Sequence, residues 1–109
     1  MSQFGKVWVR LSENPKRGEA VEIRAMVMHP MESGFRLDNV GHPIPRHIVS
    51  TFACAYGGKD VFRAKLHPAI STNPYFVFYV VAAQSADLQF TWTDDHGGVA
   101  THNVRLEVT

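Results

Sequence analysis

The sequence predicts an all-β protein: an immunoglobulin-like antiparallel β-sandwich of about seven strands, formed by a single domain over residues 1–109. Three observations support this. Apolar and polar residues alternate with a period of two, turn-forming residues separate the alternating segments, and no segment has the period of an amphipathic helix. A chain of this length can bury a core without disulfides. The predicted strands cover 6–12, 20–28, 46–56, 59–66, 75–82, 87–93 and 99–108.

The first two strands show the clearest alternation. In segment 20–28, apolar residues such as Val21 alternate with polar residues such as Glu22, which is typical of a strand with one buried face. Segment 6–12 alternates in the same way. The sequence NPKRG at 14–18 joins them and has the composition of a turn, because proline restricts φ and glycine allows a positive φ.

The later strands follow from turn positions and β-propensity. Segment 46–56 predicts a long strand, and the glycine pair 57–58 predicts a tight hairpin into 59–66. Segment 75–82, YFVFYVVA, is almost entirely aromatic or β-branched. It predicts a central strand covered on both faces. The sequence DDHGG at 94–98 predicts the turn between the last two strands.

Composition excludes several classes of function. The net charge is +1 and the basic residues are scattered, so we expect neither nucleic-acid nor membrane binding. Cys54 is the single cysteine, which excludes an internal disulfide. Its place between strand aromatics predicts a buried, unreactive thiol. Nucleophile elbows, phosphate loops and dinucleotide motifs do not occur, so the enzyme classes that depend on them are not indicated.

The segment HPMESGFRLDNVGHPIPRHIV at 29–49 is the candidate functional region. Its prolines and glycines exclude a helix and predict a long structured loop, which on a small sandwich usually carries function. The sequence leaves two functional interpretations of this segment open. One is a small histidine-rich metal-binding sandwich or redox protein. The other is a surface that binds a second protein. A loop that only covers one end of the core is the plainest alternative.

The metal interpretation depends on the spacing of possible ligands. The closest histidine pairs do not have the spacing of zinc motifs, so we predict no metal ligands and no cofactor. The possible ligands are His29, His42, His47, His67, His96, His102 and Cys54.

The interaction interpretation depends on residue type. The loop places Met31, Phe35 and Leu37 near Arg36 and Arg46. Methionine, aromatic residues and arginine are enriched at the centres of protein interfaces.

Five ordered blocks of the sequence resemble the SoxZ family, the Z subunit of the SoxYZ carrier complex of bacterial thiosulfate and sulfur oxidation. The blocks are HPMESGFR, GHPIPRHIV, FACAYGGKDVF, HPAISTNPYFVFYV and FTWTDDHGG, between residues 18 and 98. The resemblance implies a non-catalytic subunit that forms a heterodimer with SoxY. The cysteine on the C-terminal arm of SoxY carries the sulfur intermediates and presents them to other Sox enzymes.

The resemblance also implies partner-binding residues and a compartment. We expect His29, Met31, Phe35, Arg36 and Arg46 to contribute to the SoxY contact. The N-terminal residues lack the apolar core of a signal peptide. In the family the Y subunit carries the export signal, so the resemblance implies a periplasmic protein that is exported together with SoxY. An isolated chain would expose the surface meant for its partner, so a homodimer is a further expected state.

Overall fold

The structure is a computed structural model that describes residues 4–67 and 73–109. Seven strands are present in these residues, as predicted, and no helix. Among them, no helix is long and apolar enough to cross a membrane. The strands are β1 (Val7–Leu11), β2 (Ala20–Val27), β3 (Val49–Tyr56), β4 (Lys59–Lys65), β5 (Tyr75–Val81), β6 (Ala86–Asp94) and β7 (Val99–Leu106).

The strands form two antiparallel sheets that pack face to face. One sheet has the order β1-β2-β5 and the other β4-β3-β6-β7. Alternation along β2 buries Val21, Ile23, Ala25 and Val27 and turns the residues between them outward. The immunoglobulin-like sandwich is therefore confirmed.

Aromatic rings join the two sheets. Phe52 of β3 stacks on Phe76 of β5 with ring centroids 4.5 Å apart. Phe62 of β4 stacks on Phe78 of β5 with a separation of 4.4 Å. Trp92 of β6 lies beside Phe52 and is fully buried. Because large aromatic side chains bury much apolar surface, this cluster is a main source of sandwich stability.

The predicted strand 46–56 begins three residues too early. β3 starts at Val49, and its pairing with β6 shifts register between Val49 and Thr51. Ile48 and Val49 are both buried, although strict strand alternation would not bury two consecutive residues. His47 pairs instead with Glu32 in a separate antiparallel bridge. The preceding residues therefore belong to the long loop rather than to the sheet.

The prediction for β5 as a central strand covered on both faces is wrong. Within the described residues, β5 pairs only with β2 and forms an edge of the three-stranded sheet. Its alternate side chains, Tyr75, Val77, Tyr79 and Val81, are exposed. A continuous apolar run predicts burial by composition alone. It cannot distinguish a doubly covered strand from an edge strand whose outer face is apolar.

The segment HPAISTNP at 67–74 contains two prolines and predicts a second loop. Residues 68–72 lie outside the described part of the chain. At its end, the Asn73 N–H donates to the carbonyl of His29 over 3.0 Å, and the Asn73 side-chain oxygen accepts from the His29 N–H over 3.0 Å. The start of β5 is thereby attached to the start of the candidate functional loop.

Candidate functional site

The loop between β2 and β3 is an ordered hairpin, which we call the arm (residues 32–47). At its base, Glu32 and His47 exchange two backbone hydrogen bonds of 2.8 Å each. Further out, the Ile44 N–H donates to the carbonyl of Arg36 over 2.9 Å. Leu37 pairs with Pro43. The segment thus has the backbone ladder of a hairpin, although its prolines and glycines hide the alternation of a strand.

Asp38 organises the tip of the arm. Its Oδ1 accepts the Val40 N–H over 3.0 Å and the His42 N–H over 2.9 Å. Its backbone N–H donates to the His42 carbonyl over 2.8 Å. Aspartate stabilises such turns by accepting nearby backbone donors. Gly41 has a φ of 85°, the left-handed conformation that glycine adopts most easily.

The arm makes the molecule long. Its principal extents are 59 × 20 × 20 Å and its radius of gyration is 16.2 Å. A compact chain of similar length would have a radius of gyration of roughly 13 Å. Strands of eight residues span about 27 Å, and the arm adds about 25 Å, from a rise of about 3.3 Å per residue. The arm therefore projects from one end of the sandwich.

The projecting arm exposes apolar side chains. Phe35 is 82% exposed, Val40 74% and Leu37 58%. Arg36 lies beside them and pairs with Glu32, with Nε 3.2 Å from Oε1. This pair holds the arm conformation, and exposed pairs of this kind stabilise weakly. Apolar side chains so exposed on an ordered hairpin are typical of a surface that binds another protein.

Three buried polar residues, His29, His47 and Asp94, form a cluster beneath the arm. His47 Nε2 donates to Asp94 Oδ2 over 2.9 Å. Asp94 Oδ1 accepts the N–H groups of His96 and Gly98 over 2.9 and 2.7 Å. Burial opposes ionisation of Asp94, yet these hydrogen bonds outweigh it and lower the pKa of the carboxyl below its usual value. Asp94 is therefore an ionised acceptor that ties the arm base to the β6–β7 turn.

Hydrogen bonds fix His47 Nε2 and His29 Nδ1 in this cluster, whereas the buried His29 Nε2 has no hydrogen-bond partner among the described residues. Its ligand-type atoms lie within 4.8 Å of one another, the kind of group that can hold a metal ion. The Met31 N–H, however, donates to His29 Nδ1 over 3.1 Å, so the proton of the neutral ring sits on Nε2. His47 Nε2 also carries a proton, because it donates to ionised Asp94. A metal ion bound here would have to displace both protons, because it binds unprotonated nitrogens.

A second set of contacts holds the arm base from outside. Arg46 Nε donates to Asp95 Oδ2 over 2.7 Å, and the His96 Nε2–H donates to the Arg46 carbonyl over 2.5 Å. The His96 ring stacks on His47 with centroids 3.9 Å apart and an interplanar angle of 2°. Asp95 Oδ1 accepts the Ile48 N–H over 3.1 Å. These contacts of the β6–β7 turn therefore hold the arm base in place.

The structure divides the five predicted partner-binding residues into two groups. Phe35, Arg36 and Arg46 are exposed on the arm. His29 is 1% exposed and Met31 6% exposed, so neither presents surface to a partner. The Met31 sulfur instead accepts the Val49 N–H over 3.1 Å. These two residues can serve a partner contact only by holding the arm in place.

Sequence reasoning missed two features of this site. Asp94 was interpreted as a turn former only, although it also binds the buried histidine. Its partner His47 lies 47 positions away, and such a pairing has no signal in local spacing. Val40 was also missed as an exposed apolar residue of the arm tip. The signal was present, since an apolar residue beside Asn39 and Gly41 in a turn cannot reach a core.

Cys54 lies in the core, as predicted. It is fully buried on β3, and burial, with the nearby Asp60 carboxylate, raises the pKa of its thiol to about 12. A thiol with such a pKa is almost entirely protonated at neutral pH and is a poor nucleophile. Cys54 is therefore a packing residue.

The fold and the arm together define an immunoglobulin-like β-sandwich that carries an ordered hairpin with exposed apolar side chains. Residues 9–105 match the family described as "Sulphur oxidation protein SoxZ". The chain belongs to the SoxZ family, and its involvement in sulfur oxidation follows from that membership. A search of curated proteins found no match.

Solved structures share the fold at low sequence identity. A superoxide reductase (neelaredoxin) from Ignicoccus hospitalis has a TM-score of 0.76 at 15% identity, covering 97% of this chain and 82% of that one. A hypothetical protein from Pyrococcus horikoshii OT3 has a TM-score of 0.67 at 17% identity, covering 96% and 90%. At such identity, the likeness concerns the fold and does not transfer an activity.

Proposed function

We propose that this chain is the non-catalytic Z subunit of a SoxYZ-type heterodimer, which carries covalently bound sulfur intermediates of thiosulfate oxidation. The thiol that bears the intermediate belongs to SoxY. Support for a non-catalytic role comes from Cys54, because its buried, protonated thiol is unsuited to accept a sulfur species. The chain's own contribution is a rigid body that holds the carrier subunit.

One observation carries this proposal: the ordered arm exposes Phe35, Leu37 and Val40 while its base is held by the buried cluster. A surface ordered before binding loses little conformational entropy when it binds. We therefore assign the SoxY contact to the arm, with Phe35 as its centre. Arg36 and Arg46 keep exposed guanidinium edges at the rim of this contact.

The test is co-expression with SoxY from the same genome, with a tag on this chain only. Native mass spectrometry of the purified material should show a one-to-one complex. Phe35→Ala should weaken it by about thirtyfold, which corresponds to loss of an interface hot spot of about 2 kcal/mol. Tyr79→Ala removes an exposed aromatic on β5 and is the matched control, which should retain the complex.

Two outcomes contradict the proposal. A chain that never captures SoxY would rule out the carrier-subunit role. If that lone chain also held about one metal ion per molecule, the metal-binding interpretation would replace it.

We also propose that the chain reaches the periplasm through its partner. Fractionation of cells that express both subunits should place the chain in the periplasm. Deletion of the signal peptide of SoxY should leave both subunits inside the cell. Export that does not depend on SoxY would contradict this route.

A further inference from the structure

β5 is an edge strand whose outer backbone groups have no partner strand within the described residues. The Ala82 N–H donates to the Glu19 carbonyl over 2.8 Å, and the Pro74 carbonyl accepts the Val27 N–H over 3.4 Å. Even-numbered residues thus direct their backbone groups toward β2. Because these directions alternate along a strand, Tyr75, Val77, Tyr79 and Val81 direct theirs away from the sheet.

This edge lacks the features that normally prevent strands from pairing. β5, YFVFYVV, contains no charge and no proline, and its pairing with β2 has no bulge. The edge strand β4 of the other sheet carries Lys59, Asp60, Arg63 and Lys65. Charged residues, prolines and bulges are the usual means by which edges avoid other chains. β5 is therefore open to pairing, whereas β4 is protected.

The outer face of β5 is apolar as well. Tyr79 and Val81 are 62% and 61% exposed, and Tyr75 and Val77 are 48% and 45% exposed. The outer face of the four-stranded sheet is different, because small polar residues such as Thr51, Thr91 and Thr93 occupy it. The exposed apolar surface outside the arm is thus concentrated on the strand whose edge is open.

We propose that β5 is a self-association site, at which two copies of this chain pair β5 with β5 in antiparallel orientation. The two-fold axis passes between the two Phe78 residues, and the three-stranded sheets join into one. In this register, Val77 faces Tyr79 of the second copy, Tyr75 faces Val81 and Phe76 faces Val80. The residues with free backbone groups then form the hydrogen-bonded pairs.

We assign a second copy of this chain as the binding partner because the sequence of β5 is complementary to itself. Every pair except the central one joins an aromatic residue to a β-branched residue, a favourable cross-strand combination. No like charges meet, since β5 has no charged residue. Strand pairing alone buries less than the roughly 1,200 Å² of a standard interface. The dimer should therefore depend on concentration.

This site is separate from the arm and does not depend on its function. β5 lies along the side of the sandwich, and the arm projects from one end. Antiparallel pairing directs the two arms in opposite directions, so both stay free. Failure of β5 pairing would leave the proposed role of the arm unaffected.

The test uses the isolated full-length chain. Sedimentation from roughly 1 µM to 100 µM should show a monomer–dimer equilibrium. Val77→Lys should weaken dimerisation more than tenfold, because each copy then places a lysine in the shared sheet. Val61→Lys on β4 is the matched control, since Val61 is exposed to a similar extent, and it should leave the equilibrium unchanged.

Hydrogen exchange supplies a second measurement that needs no variant. Exchange of the Val77 and Tyr79 amides should slow as the protein concentration rises, while amides at the β4 edge should not change. A chain that stays monomeric over this range would overturn the proposal. Loss of the dimer on Phe35→Ala but not on Val77→Lys would also overturn it, because the arm would then be the contact.

Discussion

Among single residues, Asp94 joins parts of the chain that are far apart in sequence. Its two oxygens accept hydrogen bonds from the His47 ring and from two N–H groups of the β6–β7 turn. An ionised carboxylate in a buried place is stable only when its hydrogen bonds are satisfied. Asp94 is therefore one of the residues that fix the position of the arm base, together with the contacts of Asp95 and His96.

Asp94→Asn should destabilise the fold by about 2–4 kcal/mol, the range for breaking a buried charged hydrogen-bond network. The asparagine amide would present N–H donors to a histidine that also donates. Urea unfolding would measure the loss in the free energy of unfolding. Asp60→Asn, at an exposed residue paired with Arg63, is the control and should change stability by less than about 0.5 kcal/mol. Equal effects of the two substitutions would contradict this role of Asp94.

His29 gives the fold a dependence on pH. Burial lowers the pKa of His29, and the nearby His47 and His96 lower it further, whereas Asp94 and Asp95 act in the opposite direction. The folded protein therefore keeps His29 neutral where the unfolded chain takes up a proton, below about pH 6.5. Protons then bind preferentially to the unfolded state, so the free energy of unfolding falls as the pH falls.

The measurement is the urea midpoint between about pH 7 and pH 5. The contribution of His29 is at most about 1.4 kcal/mol per pH unit, the limit for one proton. His29→Gln should lower stability at neutral pH and flatten the dependence on pH. His42→Gln, which removes an exposed imidazole at the arm tip, should keep the wild-type slope. An unchanged slope in His29→Gln would contradict the assignment.

Among the structural elements, the arm is a hairpin whose two chains approach closely. Gly34 has a φ of 90°, and a Cβ built there would lie 3.0 Å from the Arg46 Cβ. Gly41 has a similar φ of 85°, but a Cβ placed there would meet nothing within 4 Å beyond its chain neighbours. At Gly34 a side chain would face both a left-handed backbone conformation and a close contact with Arg46. At Gly41 only the left-handed conformation favours glycine.

Alanine substitutions at these two glycines separate the cost of backbone strain from the cost of the close contact with Arg46. Gly41→Ala should cost about 1–2 kcal/mol, the strain of alanine in the left-handed region. Gly34→Ala should cost more, because the Arg46 side of the hairpin must also move. It should also weaken SoxY binding, since it displaces the arm. Urea unfolding and titration with SoxY would measure the two effects. Equal losses for the two variants would show that close approach at Gly34 is unimportant.

In the molecule as a whole, the sandwich and the arm have different roles. The core lies between the two sheets, and its aromatic cluster involves β3, β4, β5 and β6. The arm beyond its base contributes exposed side chains instead. Stability and partner binding should therefore be separable.

Replacement of residues 36–44 by a short glycine-containing turn should test this separation. The free energy of unfolding should change by no more than about 1 kcal/mol, because shortening a loop has a small entropic effect. Binding to SoxY should be lost. Thermal unfolding and native mass spectrometry would measure the two properties. A shortened chain that still bound SoxY with full affinity would contradict the role of the arm.

Local patterns in the amino-acid sequence were sufficient to predict the seven strands, the sandwich, the buried Cys54 and the long ordered loop between the second and third strands. Period-two alternation and turn residues are local signals, and both can be read without tertiary information. Three-dimensional packing was needed to show that His29 and Met31 are buried, that Asp94 holds His47, and that β5 is an edge. Each of these depends on which strands become neighbours. Strand order arises from packing between distant segments, and local patterns do not encode it.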